Sequence, residues 1–188
     1  MRRWAVGGGA CCDTSVGSVR RSTGRPDFPR RPPALSRQGN SLITCSVKKT
    51  VLTIGHSTRP IDEFIRLLTA HGVDRVIDIR TIPRSRRNPQ FNRETLSRVL
   101  RRAGIRYTHM SGLGGLRHAR RDSVNGGWRN ASFRGYADYM QTATFRRSLD
   151  RCIELATHHD VALMCAEAVP WRCHRSLVAD SHQWSSVR

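Results

Sequence analysis

The alternation of two hydrophobic patterns constrains the fold of this chain most strongly. Short runs of consecutive apolar residues, typical of buried strands, alternate with stretches in which apolar residues recur every three or four positions, typical of amphipathic helices. The first such pair is residues 51–54 followed by Ile61, Phe64, Ile65 and Leu68. Strands that alternate with helices form mostly parallel sheets that helices cover on both faces. The sequence therefore predicts a single small α/β domain with three layers, of the Rossmann-like kind.

The same pattern predicts the remaining elements. Further strands are predicted at residues 73–79, 105–110 and 161–164. Further helices are predicted at residues 92–104, with Asn92 as the cap, and at residues 133–140, 145–156 and 170–180. The Gly- and Arg-rich stretch at residues 111–130 is predicted to be a long loop.

Residues 1–46 show neither pattern and are rich in arginine, glycine and proline. Such a segment buries too little apolar surface to offset its ordering entropy, so we expect a disordered tail. Translation from a point upstream of the true start is an alternative origin for this segment. The chain of 188 residues then holds one folded domain, at residues 47–188.

The formal net charge of +19 has two interpretations. A strongly basic chain attracts polyanions, which favours a nucleic acid or another anionic partner. Lys48 and Lys49 are the only lysines, however, and such a preference for arginine is also typical of GC-rich genomes. No stretch approaches the length of about 18 apolar residues that a membrane span needs, so we expect no membrane partner.

The cysteines argue against a secreted disulfide scaffold. Their spacing is irregular and contains no Cys-x-x-Cys pair. The six cysteines are Cys11, Cys12, Cys45, Cys152, Cys165 and Cys173. Irregularly spaced cysteines in a chain of this length indicate reduced thiols, and we expect a cytoplasmic location.

Polar residues concentrate directly after the predicted strands. Ligands of parallel α/β sheets bind outside the carboxyl ends of the strands, so these segments are the candidate site. The segments are residues 55–57, 78–87, 110–115 and 165–175.

The first two segments carry candidate acid/base and anion-binding groups. After the tight turn at Gly55, His56 is a candidate acid or base with Ser57 beside it, or a local hydrogen-bonding partner in the turn. Asp78 is a candidate base or metal ligand, and Arg80 is a candidate anion clamp. The alternative is a structural ion pair between these two residues at the end of a buried strand.

The next segments contain candidate anion contacts. Ser85 and Arg86 belong to a turn whose hydroxyl and guanidinium groups suit phosphate. Backbone amides at Gly114 and Gly115 can approach an anion closely. The arginines from Arg84 to Arg106 form either a solvated helix surface or a stripe that binds nucleic acid.

The densest cluster lies between Cys165 and Arg175. Cys165 ends a buried strand, and a helix that opens at Pro170 would place Cys173 near its positive N-terminus and lower the thiol pKa. The other candidates are Glu167 as a base and, as substrate contacts, Arg172, His174 and Arg175. Six residues separate Cys165 from Arg172, one more than in the Cys-x5-Arg loops of phosphatases. Inert buried thiols remain an alternative.

Several motifs occur in a distinctive order along the chain. They are found at residues 53–57, 78–80, 83–91, 113–115, 133–140, 165–167 and 173–175. This order resembles the family called domain of unknown function 488, DUF488. The resemblance implies a small α/β domain that is widespread in bacteria, and it implies no reaction. Members continue past the last motif into another strand, which residues 181–188 do not resemble, so the resemblance implies a truncated C-terminal end.

Three hypotheses about function follow. The first is an enzyme, or former enzyme, that acts on a phosphate-bearing or nucleic-acid-related substrate, with Cys165 or Cys173 as nucleophile and His56, Asp78 and Glu167 as acid/base groups. The second is a non-catalytic nucleic-acid-binding module. The third is a metal-binding protein that uses Cys165, Glu167, Cys173 and His174, although their spacing matches no common zinc class. The sequence identifies neither a cofactor nor an oligomeric state.

Overall fold

The structure, a computed structural model, describes residues 2–5 and 50–185. The strands of these ranges are β1 (Arg2–Ala5), β2 (Thr50–Gly55), β3 (Arg75–Asp78), β4 (Arg106–His109) and β5 (Val161–Cys165). The helices are α1 (Ile61–Ala70), α2 (Arg93–Arg102), α3 (Ala131–Met140), α4 (Ala143–His158) and α5 (Arg175–Ser185). Three short 3-10 helices lie at Pro89–Phe91, Ser111–Leu113 and Pro170–Arg172.

The five strands form one sheet in the order β1-β2-β5-β3-β4. The strands β2, β5, β3 and β4 pair in parallel, and β1 pairs antiparallel with β2. The register aligns Gly55 with Cys165, and Asp78 with both Met164 and His109. The strand ends that the sequence analysis selects therefore meet at one edge of the sheet.

The alternation of side chains along the strands divides the core into two layers. Leu52 and Ile54 of β2 face one side, where α1 and α2 contribute Phe64, Leu68, Leu96 and Leu100. Val51 faces the other side, where α3, α4 and α5 contribute Tyr136, Phe145, Leu149 and Val178. Burying such side chains stabilises the fold by roughly 1.5–3 kcal/mol each. The predicted α/β fold, with a mostly parallel sheet between helical layers, is confirmed.

The strand β1 was not predicted from the sequence, which assigned residues 2–5 to the tail. Four residues are too short to show a period, and their pairing depends on the open backbone edge of β2. The rest of the predicted tail, residues 6–46, and the domain boundary at residue 47 lie outside the described residues.

The last predicted helix begins later than expected. Pro170 opens a short 3-10 helix, and the extended backbone of Cys173 (φ −131°, ψ 140°) separates it from α5. Asn92 does precede α2, but its side chain accepts a hydrogen bond from the backbone N–H of Ser85 at 2.7 Å and caps no helical N–H. No helix within the described ranges is long and apolar enough to cross a membrane.

Candidate functional site

A cavity of about 380 Å³ opens at the edge of the sheet where β2, β3 and β5 end. Parallel α/β sheets bind their ligands at this edge. Nine of the residues that the sequence analysis selects line the cavity, namely His56, Arg80, Ser85, Gly115, Cys165, Glu167, Arg172, Cys173 and His174.

The remaining six selected residues lie behind or beside the cavity wall, at Gly55, Ser57, Asp78, Arg86, Gly114 and Arg175. The wall also contains residues that the sequence analysis does not select, among them Thr81, Ile82, Leu116, Ser132, Phe133 and Tyr136. Phe133 and Tyr136 belong to a predicted helix, and their apolar side chains have the same signature in the sequence as core residues.

The two cysteines of the cluster are in direct contact. The Sγ atoms of Cys165 and Cys173 lie 2.7 Å apart, and both side chains are buried. Cys165 ends the central strand β5, and Cys173 lies in the extended segment before α5. The sulfur atoms meet because the chain between these positions turns back at the 3-10 helix Pro170–Arg172.

Arg175 holds the loop that follows Cys165. Its guanidinium donates hydrogen bonds to the carbonyl oxygens of Glu167 at 2.8 Å and Ala168 at 3.0 Å. Nη1 also donates to Cys165 Sγ at 3.3 Å. Gly55 lies so close to the same loop that a Cβ at this position would overlap the carbonyl oxygen of Glu167. Arg175, predicted as a substrate contact, is thus placed under the loop, with 1% of its surface exposed.

The neighbours of the two thiols have opposite effects on their acidity. The hydrogen bond from Cys173 and the positive charge of Arg175 outweigh burial and lower the pKa of Cys165. The hydrogen bond to Cys165 and burial raise the pKa of Cys173. The lowered thiol pKa predicted for Cys173 is therefore wrong, because Cys173 precedes α5 and lies beside the Cys165 sulfur. The arrangement favours a thiolate at Cys165 and a protonated thiol at Cys173.

His174 borders the same cavity as an uncharged ring. Burial lowers the pKa of His174 to about 4. Its Nδ1 lies 3.6 Å from Cys173 Sγ, and its ring centroid lies 5.0 Å from that of Tyr136. A Cβ at Gly115 would overlap the imidazole, so glycine at this position permits the close approach. His174 is therefore a neutral ring beside the cysteine pair.

Asp78 and Arg80 form a buried ion pair, the alternative that the sequence analysis left open. Arg80 Nη2 and Nε lie 2.6 Å and 2.9 Å from the two carboxylate oxygens of Asp78. The Tyr107 hydroxyl donates to Asp78 Oδ2 at 2.7 Å, and Arg80 Nη2 donates to the carbonyl oxygen of Phe91 at 2.8 Å. The carboxylate is fully buried, and both of its oxygens are occupied. This geometry suits a structural ion pair better than a base.

His56 extends this network to the cavity. Its Nδ1–H donates to the carbonyl oxygen of Ser57 at 2.8 Å, which leaves Nε2 to accept from Arg80 Nη1 at 3.3 Å. The ring stacks on Phe91 with 4.3 Å between centroids. Burial is the main cause that lowers the pKa of His56, so the ring is neutral. Ser57, with φ +50°, donates its backbone N–H to the carbonyl oxygen of Ala166 at 3.0 Å.

The mouth of the cavity combines charge with apolar surface. Arg84 and Arg172 are exposed there, and neither forms an ion pair with a described residue. Glu167 is also exposed at the mouth, and its Oε1 accepts from the backbone N–H of Val169 at 3.4 Å. Apolar wall residues include Ile82 and Leu116, both more than half exposed. An anion with an apolar part fits this combination.

The cluster does not have the geometry of a metal site. Among the described residues, no group of three or more His, Cys, Asp or Glu side chains is arranged to hold a metal ion. The third hypothesis, a metal-binding protein, thus has no set of donor atoms in this part of the chain.

Comparison with known proteins identifies a family. A family model described as "Domain of unknown function DUF488" matches residues 60–182, and the predicted resemblance is confirmed. The match spans the segments that carry Arg80, Cys165 and Cys173, and it begins after His56. No curated protein and no solved structure matches the chain significantly.

Proposed function

The chain belongs to the DUF488 family, and we propose that it is a thiol-dependent enzyme in which Cys165 attacks an anionic substrate bound in the cavity. One observation carries this proposal. Cys165 lines the cavity, and its Sγ is in hydrogen-bond contact with both Cys173 and Arg175. A thiolate, and not a thiol, is the nucleophile in cysteine enzymes, and adjacent cationic or donor groups favour it.

The surroundings of Cys165 support an anionic substrate with an apolar group. The exposed guanidinium groups of Arg84 and Arg172 suit a phosphate or carboxylate, which they can bind in the bidentate manner. Phe133 and Tyr136 supply an aromatic part of the cavity wall. The volume of about 380 Å³ lies in the range of small-molecule sites. A phosphate monoester of an aromatic alcohol or of a nucleoside meets these requirements.

The reaction is a two-step transfer. The Cys165 sulfur forms a bond to the electrophilic atom, and the bond from that atom to the leaving group breaks. Water then attacks the same atom, the bond to sulfur breaks, and the thiolate is restored. Glu167, at the cavity mouth, is the group placed to pass a proton to the leaving group and to take one from the attacking water.

The test is the alkylation of the full chain by iodoacetamide, with and without phenyl phosphate. Cys165 is expected to react at neutral pH at least about ten times faster than Cys152, whose pKa burial in α4 raises to about 12. Phenyl phosphate is expected to slow the reaction of Cys165. Fragment spectra distinguish these two cysteines, which share the tryptic peptide 152–172.

Matched variants separate the anion site from the general positive charge. Arg172→Gln should weaken protection by phenyl phosphate, and Arg147→Gln, at an exposed position of α4, should leave it unchanged. The proposal fails if Cys165 reacts no faster than Cys152, or if protection depends equally on both arginines.

A non-catalytic nucleic-acid-binding module is the second candidate. Trp128 and Trp171 are 39% and 69% exposed, and exposed indoles beside arginines are typical of surfaces that stack on single-stranded bases. Arg98 and Arg101 add an exposed basic face on α2. Titration with a short single-stranded oligonucleotide at two salt concentrations tests this candidate.

The titration discriminates between the candidates through two double variants. The binding module predicts salt-sensitive binding that Arg98→Gln with Arg101→Gln weakens and that Cys165→Ala with Glu167→Ala leaves unchanged. Binding that depends only on Cys165 and Glu167 favours the enzyme.

A further inference from the structure

We propose that Cys165 and Cys173 form a peroxide-responsive couple, in which Cys165 is oxidised first and Cys173 closes an intramolecular disulfide at the floor of the cavity. The inference goes beyond the proposed function and shares with it only the thiolate at Cys165. It needs no anionic substrate.

The two sulfur atoms are positioned to form a bond. They lie 2.7 Å apart, and a disulfide bond is about 2.05 Å long, so closure requires a relative movement of about 0.7 Å. The backbone of Cys173 is anchored, because its N–H donates to the carbonyl oxygen of Pro170 at 3.1 Å and its carbonyl oxygen accepts from the N–H of Ser176 at 3.1 Å. The movement therefore belongs to the Cys173 side chain. Cys165 is held by β5 and therefore stays in place.

Different partners assign different roles to the two thiols. The sulfur of Cys165 accepts a hydrogen bond from the guanidinium of Arg175. The sulfur of Cys173 accepts one from the backbone N–H of Arg175, at 3.5 Å. The negative charge therefore resides on Cys165, which attacks the oxidant, and Cys173 keeps its proton until the second step.

Atoms and electrons balance with a hydroperoxide as the oxidant. The Cys165 thiolate attacks one peroxide oxygen, the O–O bond breaks, and the leaving alkoxide or hydroxide takes a proton from water to leave Cys165 as a sulfenic acid. The Cys173 sulfur then attacks Cys165 Sγ, the S–O bond breaks, and hydroxide leaves with the Cys173 proton as water. The two thiols supply both electrons, and a thiol reductant reverses the change.

The third described cysteine supplies an internal contrast. Cys152 is buried in α4, has no charged or sulfur partner among the described residues, and burial alone raises its pKa to about 12. The rate at which a cysteine is oxidised depends on its thiolate fraction and on how easily the oxidant reaches the sulfur. Cys152 should therefore stay reduced under conditions that oxidise Cys165.

The experiment treats the full reduced chain with one equivalent of hydrogen peroxide and maps tryptic peptides without reduction. Trypsin cleaves after Arg172, so the disulfide joins peptide 152–172 to peptide 173–175. Because peptide 152–172 also contains Cys152, the Cys152→Ser variant must form the same linked pair. The link should disappear on reduction with dithiothreitol and should be absent in Cys165→Ser.

A second variant identifies the order of the steps. In Cys173→Ser the sulfenic acid of Cys165 should persist and be trapped by dimedone, whereas wild type should trap little. Near-UV circular dichroism checks that each variant is folded. The inference is overturned if both thiols stay reduced, if Cys152→Ser removes the link, or if the link forms equally well in urea.

The two proposals fail in distinguishable ways. A linked pair without protection of Cys165 by phenyl phosphate keeps the peroxide couple and overturns the anionic-substrate enzyme. Protection without a linked pair does the reverse.

Discussion

Arg175 is the residue on which the floor of the cavity depends. Its guanidinium is 1% exposed and forms no ion pair with a described carboxylate. A buried cation is costly unless an anion or several acceptors compensate it. The acceptors that Arg175 has are two carbonyl oxygens and the sulfur of Cys165. A negative charge on the Cys165 sulfur would compensate this cation, so Arg175 acts together with the hydrogen bond from Cys173 to lower the pKa of Cys165.

His174 makes the stability of the fold depend on pH. Its folded pKa of about 4 lies below the ordinary value of 6.5, so the unfolded chain binds a proton between these values and the folded chain does not. The contribution of His174 is therefore complete above about pH 6.5 and is lost as the pH falls towards 4, by up to about 3 kcal/mol. Urea unfolding at a series of pH values measures this loss.

The variant His174→Gln isolates the effect of this ring from the titration of carboxylates. The difference in unfolding free energy between wild type and His174→Gln should shrink as the pH falls from about 7 to about 4.5. A constant difference for His174→Gln would contradict the assignment of a neutral, buried ring.

At the scale of elements, hydrophobic periodicity predicted the helices and strands that pack on the sheet. The strand and helix periods are reliable signals because they reflect which side chains are buried in each layer of the core, as with Phe64 and Leu68 in α1. The role of Asn92 could not be predicted, since its side chain binds the backbone N–H of Ser85 in the preceding loop. The start of α5 could not be predicted either, because Pro170 opens a separate 3-10 helix. The edge strand β1 is too short to show a period.

The candidate site was predictable in position and less so in detail. The rule on strand ends selected the Cys165 segment, because Gly55 and Cys165 must share an edge once β2 and β5 are parallel. It could not identify which cysteine is acidic, since that depends on the contact with Arg175. The aromatic wall at Phe133 and Tyr136 was missed, because a helix face that lines a cavity and one that enters the core look alike in a sequence.

The junction between β2 and the loop after β5 tolerates only glycine at position 55. In Gly55→Ala, the new Cβ would overlap the carbonyl oxygen of Glu167 and press on Arg175, so we expect a loss of roughly 1–3 kcal/mol in unfolding free energy. The alkylation rate of Cys165 should also fall, because the loop that holds its donors must move. Gly127→Ala, where a Cβ meets open space, is the matched control. Equal stability of the two variants in urea would refute the close approach.

At the scale of the whole molecule, one buried network joins the segments around the cavity. Asp78 ends β3, and its partner Arg80 reaches both His56 after β2 and the carbonyl oxygen of Phe91 before α2. Tyr107 of β4 completes the network through its hydroxyl. The network thereby links β3, β4 and the segment after β2 near the edge where the cavity opens.

Because both charges of the ion pair are buried, breaking the pair should be costly whichever charge remains. Arg80→Met leaves the carboxylate of Asp78 unpaired and is expected to cost about 3–5 kcal/mol, and Asp78→Asn leaves the guanidinium of Arg80 unpaired at a similar cost. The double variant removes both charges and should cost well below the sum of the single variants. Urea unfolding of the four proteins closes this cycle. Additive costs would mean that Asp78 and Arg80 are stabilised independently, through Tyr107 and Phe91, and that the ion pair does not organise this edge of the sheet.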